Sequence, residues 1–269
     1  MHPQIAAFAR LAKENTPPVR SLEGQKTKIS RSMHGFAYDA IHDEIVVTSP
    51  LTQAVLVFRG GADGEEAPIR VIQGPHTGLI GGETGSLDRV TVDPVDNEIL
   101  VPSNSRRALL IYPREANGDV PPKRVLNGAS AGGVVDPVHN LLIVGVRGGL
   151  QIFDRTASGD AKPLRELKGP TLGGGGALAV YPPKNWIIAG CDPAYASSLS
   201  LCAWNINDSG NAAPRWKLPV EELTKYQPSG IALDPLHKEV IISASGQKVQ
   251  VGRPEIMNAA LTFSWPEIF

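Results

Sequence analysis

Short runs of apolar residues, separated by polar turns, recur along the whole chain. The most regular copy has four runs typical of β-strands, which we label a to d in order: residues 90–94, 97–101, 108–112 and 122–126. The a–b turns of five such copies, at residues 39, 93, 136, 181 and 234, are 43 to 54 residues apart. A four-stranded repeat of this length predicts an all-β fold, a β-propeller with one antiparallel blade per copy.

The count of strands predicts five blades in one domain that spans residues 1–269. The expected blades are residues 34–74, 87–128, 131–169, 175–219 and 228–269, the last completed by residues 17–22. The last copy lacks strand d, and residues 18–22 carry the d signature, so we expect this N-terminal strand to close the ring. Residues 4–8 also resemble a c strand, which leaves six blades as the alternative.

Turn residues support this assignment. Aspartates that can accept hydrogen bonds from backbone N–H groups open four a–b turns: Asp39, Asp93, Asp136 and Asp234. Glycines that can supply a positive φ stand in four c–d hairpins: Gly64, Gly118, Gly159 and Gly210. Each d strand opens with proline and carries arginine, which is typical of an outer edge where charge discourages further pairing.

The pattern resembles a known class of repeats. The a–b turns, the c strands that end in an aromatic residue and the d strand at residues 67–74 are similar to NHL-type and gluconolactonase-like propellers. The chain also resembles bacterial propeller proteins with a Pro-Glu-Ile-Phe-like tail, here residues 266–269. This resemblance implies the propeller fold over nearly the whole chain, but these repeats occur in enzymes and in binding modules alike.

Composition and charge limit the kinds of partner and cofactor that the chain is expected to have. The 26 basic and 27 acidic residues give a net charge of −1, which favours neither nucleic acid nor an anionic membrane as partner. No apolar run is long enough to span a membrane, and no signal peptide is recognisable at residue 1. The resemblance favours an exported protein if a signal was removed, and otherwise leaves the location open. Cys191 and Cys202 are interpreted as two buried thiols rather than a disulfide, and no motif indicates a haem, zinc or other cofactor.

The long d–a and b–c loops form the face on which a propeller of this kind is expected to bind its partner or ligand. The candidate contact residues on this face are His34, Asp88, Asn104, Arg106, Arg107 and Arg147. Clustered guanidinium groups suit carboxylate or phosphate, so we expect another protein or a small anionic ligand as partner. Glu83 and Asp88 are the expected internal partners of the arginines if the site is a set of salt bridges.

Evidence for catalysis is weak in the sequence. The turn aspartates are expected at the end of strand a that lies away from the channel mouth, spread around the ring. His42, His139 and His237 occupy corresponding turn positions of the repeat, so neither set of residues predicts a converging site. The four glycines at residues 173–176 precede no helix and are interpreted as a close-packed entry to a strand. We therefore predict a non-catalytic binding or scaffolding propeller without catalytic or metal-binding residues. The alternative is a metal-dependent, lactonase-like hydrolase with its site at the channel mouth.

Overall fold

The computed structural model describes residues 4–30, 35–80, 87, 89–173, 176–194, 197–246 and 258–269. The strands form antiparallel sheets, four with four strands, one with three and one with two. The four- and three-stranded sheets are the five blades of a β-propeller, which confirms the predicted fold class and the preferred number of blades. None of the described helices is long and apolar enough to cross a membrane.

The strands and the single described α-helix follow the repeat. The strands of the N-terminal hairpin and the first two blades are β1 (Gln4–Ala7), β2 (Arg20–Glu23), β3 (Phe36–Asp39), β4 (Glu44–Ser49), β5 (Ala54–Arg59), β6 (Arg70–Gln73), β7 (Thr91–Asp93), β8 (Glu98–Ser103), β9 (Ala108–Pro113) and β10 (Arg124–Asn127). The remaining elements are β11 (Gly133–Asp136), β12 (Leu141–Val146), β13 (Gly149–Asp154), β14 (Arg165–Lys168), β15 (Leu178–Tyr181), β16 (Trp186–Ala194), β17 (Ser197–Asn205), β18 (Trp216–Leu218), α1 (Val220–Thr224), β19 (Tyr226–Asp234), β20 (Glu239–Gly246) and β21 (Asn258–Ser264).

The chain divides into two compact units. The first unit contains residues 1–132 and 158–160, which include the hairpin β1–β2 and the first two blades. The second unit contains residues 133–157 and 161–269, which include the sheets of the third, fourth and fifth blades. Within each unit, neighbouring blades bury apolar cores that include the aromatic residues at the ends of the c strands, such as Tyr112 and Trp204.

Each glycine of a c–d hairpin bonds to the d strand that precedes its blade in the chain. Gly118 donates its N–H to the carbonyl of Val71 at 2.7 Å, and its carbonyl accepts the N–H of Gln73 at 3.1 Å. Parallel bridges of this kind pair the d-strand residues Leu22, Ile72, Leu126 and Leu167 with Gly64, Gly118, Gly159 and Gly210. These glycines have φ between 60° and 81°, so the predicted positive φ is confirmed. We call this two-bond contact the blade clip.

The arginines of the d strands do not protect an open edge, and that interpretation was wrong. Arg124 donates to both carboxylate oxygens of Glu98, at 2.5 and 2.8 Å, and the side chain of Glu98 is only 2 % exposed. In the first blade Arg70 bonds Glu44 at 2.6 Å. In these two blades the charge therefore serves a buried ion pair between strands d and b, while the blade clip occupies the outer backbone edge.

The predicted turn aspartates are confirmed as caps. Asp39 accepts the backbone N–H groups of Ile41 and His42 at 2.9 and 3.0 Å, and its other oxygen lies 2.8 Å from Nδ1 of His42. Asp136 and His139 repeat this arrangement in the third blade, where the carboxylate oxygen and Nδ1 are 2.7 Å apart. Burial raises the pKa of Asp39, but the hydrogen bonds from His42 and Ile41 outweigh it and hold that pKa below its ordinary value.

The N-terminal strand differs from the prediction in its partner. β2 has the position of a d strand, since Leu22 bridges to Gly64 as the other d strands do. Its ladder, however, is with β1 through the register Ile5↔Leu22, and among the described residues the sheet of the fifth blade has the order β19–β20–β21. Residues 18–22 therefore take the d-strand position that the sequence predicted, but their described ladder is with residues 4–7 rather than with β21. Residues 4–8, which resembled a c strand, supply the actual partner.

We predict that Glu98→Gln lowers the free energy of unfolding by about 3 kcal/mol, because it removes the charge of the buried carboxylate that Arg124 bonds through both oxygens. Burial raises the pKa of Glu98, but the bonds from Arg124 and Lys123 outweigh it and lower that pKa below its ordinary value. The stabilisation is therefore present above the ordinary carboxyl pKa and is lost as the pH falls through the lower folded value. Urea unfolding at pH 7 and at pH 3.5 should show a smaller acid loss for the variant than for the parent.

The control is Glu66→Gln, because the Arg59–Glu66 pair lies at the surface, where solvent screens the charges and an ion pair contributes little to stability. Equal losses for the two variants would contradict a special role of the buried pair.

We also predict that Leu22→Ala costs about 2–4 kcal/mol, because Leu22 is 2 % exposed in the core between the hairpin β1–β2 and the first blade. Val19→Ala is the matched control, since Val19 is 64 % exposed and lies outside this core.

Deletion of residues 1–24 should uncover Leu56 and Phe58 and cause aggregation, measured by light scattering. A truncated protein as soluble and as stable as the parent would show that the hairpin is dispensable.

Candidate functional site

Three of the predicted contact residues, Asn104, Arg106 and Arg107, lie on the tight turn between β8 and β9. Residues 104–107 are all exposed, and the N–H of Arg107 donates to the carbonyl of Asn104 at 3.1 Å. Arg107 has φ 51°, and its carbonyl accepts the N–H of Gly128 at 2.6 Å. These bonds fix the backbone beneath two adjacent guanidinium groups. We call residues 104–107 the arginine turn.

Arg106 rests on the loop that follows β6. A Cβ built on Gly78 would come within 3.4 Å of the Arg106 Cζ, so the guanidinium lies against the backbone at Gly78. The loop itself is anchored from below, because the hydroxyl of Tyr112 donates to the carbonyl of Thr77 at 2.6 Å. Burial raises the pKa of Tyr112 far above its ordinary value, although Arg106 opposes this shift, so the hydroxyl stays protonated and keeps donating.

A second contact stiffens the same loop. The N–H of His76 donates to Asp119 at 2.7 Å, and Nδ1 of His76 lies 2.6 Å from the other oxygen of that carboxylate. Asp119 follows the clip glycine Gly118, so the contact that joins the first two blades also holds this loop. Sequence inspection missed this contact, because His76 and Asp119 are 43 residues apart and share no local motif.

The remaining predicted residues are less informative. His34 and Asp88 lie outside the described residues, as does Glu83, so the expected salt bridges to the arginines have no structural description. Arg147 belongs to the second unit, where it is exposed on the β12–β13 turn beside Gly148, which has φ 72°. Among the residues that the structure describes, no carboxylate pairs with Arg106 or Arg107.

Three side chains of the second unit lie close enough to hold a metal ion: Asp234, His237 and Glu239. An oxygen of Asp234 already lies 2.7 Å from Nδ1 of His237, as in the equivalent turns at Asp39 and Asp136. The pair is therefore a repeated turn cap. The interpretation of these histidines as repeat features is confirmed, and we assign no metal to the group.

The cysteines form a disulfide, so the preferred interpretation as two thiols was wrong. Cys191 on β16 and Cys202 on β17 have Cα atoms 5.8 Å apart, and both side chains are buried. The register places Cys202 opposite Ala189 and Cys191 opposite Ser200, so the bridge crosses the hairpin diagonally. Disulfide sulfurs are no longer thiolates, which removes both residues as metal ligands.

The close packing predicted for the glycine run is confirmed at Gly173, where a Cβ would collide with Ser198.

Comparisons with known proteins identify the class from structure alone. No family model and no curated protein matches the chain. A chain of the mitotic checkpoint complex matches with a TM-score of 0.56 and 14 % identity, over 86 % of this chain and 65 % of its own. The Cps50 (Swd1) β-propeller domain of Myceliophteria thermophila matches with a TM-score of 0.54 and 10 % identity, over 89 % and 74 %.

Hydrazine synthase of Kuenenia stuttgartiensis matches with a TM-score of 0.57 and 9 % identity, over 88 % of this chain and 64 % of its own. The chain thus spans slightly less than two-thirds of two of these neighbours. At these identities the likeness shows the fold, and the protein is a β-propeller.

We predict that replacing both cysteines with serine lowers the free energy of unfolding by about 2–3 kcal/mol, because the bridge closes an 11-residue separation. Reduction of the parent protein should have the same effect, and metal content measured by mass spectrometry should not change. Thiol titration of the denatured, unreduced protein should detect no thiol. Two titratable thiols, or a metal lost with the cysteines, would contradict the assignment.

Proposed function

We propose that the protein is a non-catalytic propeller that binds a partner protein, with the arginine turn as a contact for an acidic group. The observation that carries this proposal is the pair of exposed guanidinium groups on a rigid turn, with no carboxylate partner among the described residues. Guanidinium groups offer fork-like donors that match carboxylates, and two adjacent cations repel each other unless an anion lies between them.

Rigidity supports a binding role for the turn. The Asn104–Arg107 and Gly128–Arg107 hydrogen bonds hold the backbone, and the Gly78 backbone supports the guanidinium of Arg106. Because the turn is already ordered, binding a partner here costs little of the turn's backbone entropy, which favours affinity. Asn104 can add a neutral amide donor beside the two cations. His34 and Asp88 stay in the proposal as candidate contact residues on the loop face that the sequence predicts, and Arg147 as a separate cation of the second unit.

The fold and the disulfide support this proposal. One structural neighbour is part of a multiprotein assembly, the mitotic checkpoint complex, and propellers often serve as such interaction platforms. The resemblance to NHL-type repeats likewise includes binding modules. The disulfide between Cys191 and Cys202 favours an oxidising compartment, which suits an exported protein.

We predict that a fluorescent hexaglutamate peptide binds the protein, as measured by anisotropy, and that its affinity falls as NaCl is added. The double variant Arg106→Glu and Arg107→Glu should lose at least about tenfold in affinity, since each charge-assisted hydrogen bond contributes about 1.5–3 kcal/mol. Its thermal stability should stay within about 3 °C of the parent, because both side chains are exposed.

The matched control is Arg59→Glu, which changes an exposed arginine outside the turn that is already paired with Glu66. Equal losses of affinity for the control and the turn variant would show that only net charge matters. A large loss of stability with unchanged affinity would make the turn arginines structural. Arg147→Glu, measured separately, tests whether the second unit contributes.

A further inference from the structure

A buried hydroxyl group lies at the base of the arginine turn. Ser103 is the last residue of β8 and immediately precedes Asn104, and its side chain is fully buried. Among the residues that the structure describes, no group forms a hydrogen bond with its Oγ. A buried hydroxyl without a partner is unfavourable for stability, so such a group in a native protein needs an explanation. Its place beside two guanidinium groups points to a ligand.

The first blade contains an equivalent turn. Ser49 ends β4 as Ser103 ends β8, and the N–H of Gln53 closes the following turn on the carbonyl of Pro50 at 3.1 Å. The last residue of each turn is left-handed, with φ 52° at Gln53 and 51° at Arg107. The backbones of the two turns are therefore alike, and their side chains start in the same directions.

The hydroxyl of Ser49 is fully hydrogen-bonded. It accepts the hydroxyl of Thr52 at 2.8 Å and the N–H of Ser30 at 3.3 Å, and it donates to the carbonyl of Lys28 at 3.5 Å. A serine at this position thus presents its hydroxyl to the space between the turn and the loop that follows the preceding d strand.

The loop after β6 in the second blade matches the loop after β2 in the first. Thr27 and Thr77 each donate their hydroxyl to a glycine carbonyl three residues earlier, at 2.7 Å in both loops. Each hydroxyl also accepts the N–H two residues further on, at 3.3 and 3.2 Å. Gly78 therefore has the place of Lys28, one residue after the threonine.

Arg106 replaces the threonine of the first blade. It has the turn position of Thr52, and its guanidinium lies against Gly78, where a Cβ would come within 3.4 Å of its Cζ. The hydroxyl of Ser103 and the guanidinium of Arg106 therefore face the same small region between turn and loop. Both groups can donate hydrogen bonds to an anion.

We propose that this region binds a phosphoryl group, held by the hydroxyl of Ser103 and the guanidinium groups of Arg106 and Arg107. This proposal rests on the binding role proposed above for the arginine turn and specifies the acidic group. A guanidinium fork engages two oxygens of an anion, so a further donor on the buried side favours an anion with a third oxygen. A phosphoryl group has three terminal oxygens and a charge of about −1.5 to −2 at pH 7, which two guanidinium groups offset.

Arg106 gives the ligand access to the buried hydroxyl. Its side chain is exposed and stands where a threonine covers the equivalent hydroxyl in the first blade, so an outward turn of the guanidinium opens a path to Ser103. The backbone bonds of Arg107 to Asn104 and Gly128 do not involve this side chain, so the turn keeps its shape. The bound anion then accepts from the hydroxyl and offsets both cations.

The test compares two labelled acidic peptides, whose binding to the full chain is followed by anisotropy. One is hexaglutamate with phosphoserine in place of its third residue, and the other is heptaglutamate, which has about the same charge. We expect the phosphopeptide to bind at least about tenfold more tightly, because the buried hydroxyl adds a charge-assisted hydrogen bond. Inorganic phosphate should displace the phosphopeptide more effectively than sodium chloride at equal ionic strength.

Two serine variants test the role of the hydroxyl. Ser103→Ala should weaken binding of the phosphopeptide about tenfold and change the affinity for heptaglutamate little. Its melting temperature should equal or exceed that of the parent, because a hydroxyl without a partner does not stabilise the fold. Ser49→Ala is the matched control at the same position of the first blade. It removes three hydrogen bonds, so it should lower the melting temperature and leave the binding of both peptides unchanged.

The outcomes separate this proposal from the proposed function. Equal affinities of the phosphopeptide and heptaglutamate would overturn the phosphoryl assignment and leave the arginine turn as a contact for carboxylates. Binding of neither peptide would overturn both proposals. If Ser103→Ala lowers the melting temperature as much as Ser49→Ala does, the hydroxyl is structural and the site is wrong. A phosphopeptide that binds no more tightly than inorganic phosphate would support the phosphoryl site but assign it to a small molecule instead of a partner protein.

Discussion

The blade clip is the contact on which the rest of the structure depends. Two backbone hydrogen bonds between a d strand and the following c–d glycine tie one blade to the next at Gly64, Gly118, Gly159 and Gly210. A side chain at such a position would force a φ between 60° and 81° on a residue with a Cβ, which costs about 1 kcal/mol or more. The clip therefore explains the glycines, and it satisfies the outer edges of the d strands that would otherwise invite aggregation.

The clip also determines where polar groups are buried and which loops are rigid. A d strand held in place presents its arginine to the glutamate at the start of strand b, as Arg124 does to Glu98. The residue after the clip glycine reaches the next loop, as Asp119 does to His76. Rigid loops in turn support the arginine turn, so the candidate binding site rests on the same contact that joins the first two blades.

The sequence predicted the elements of the fold well because each repeat carries its own local signals. The turn aspartates, the hairpin glycines and the apolar runs act over a few residues, and all were assigned from spacing alone. Partner choice between distant segments was harder to predict. Residues 18–22 have the correct signature for a d strand, but pattern alone did not distinguish a ladder with β21 from one with β1. The buried arginines were misjudged for the same reason, because Glu98 and Arg124 are 26 residues apart. The disulfide was not predicted because it joins diagonal positions of the β16–β17 hairpin, and this hairpin is longer than the repeat predicts.

The candidate site was predicted in part. Exposed arginines on a b–c turn followed from strand assignment, but their support by Gly78 and Gly128 depends on contacts between segments that are about 20 to 30 residues apart, which no local pattern predicts. The most direct test of a binding role is the titration of an isotope-labelled sample with hexaglutamate, observed through the arginine Nε–Hε resonances. A saturable, salt-sensitive shift of Arg106 and Arg107, with Arg59 and Arg114 unmoved, is the predicted result. Uniform small shifts of all exposed arginines, or none at the turn, would contradict the proposal.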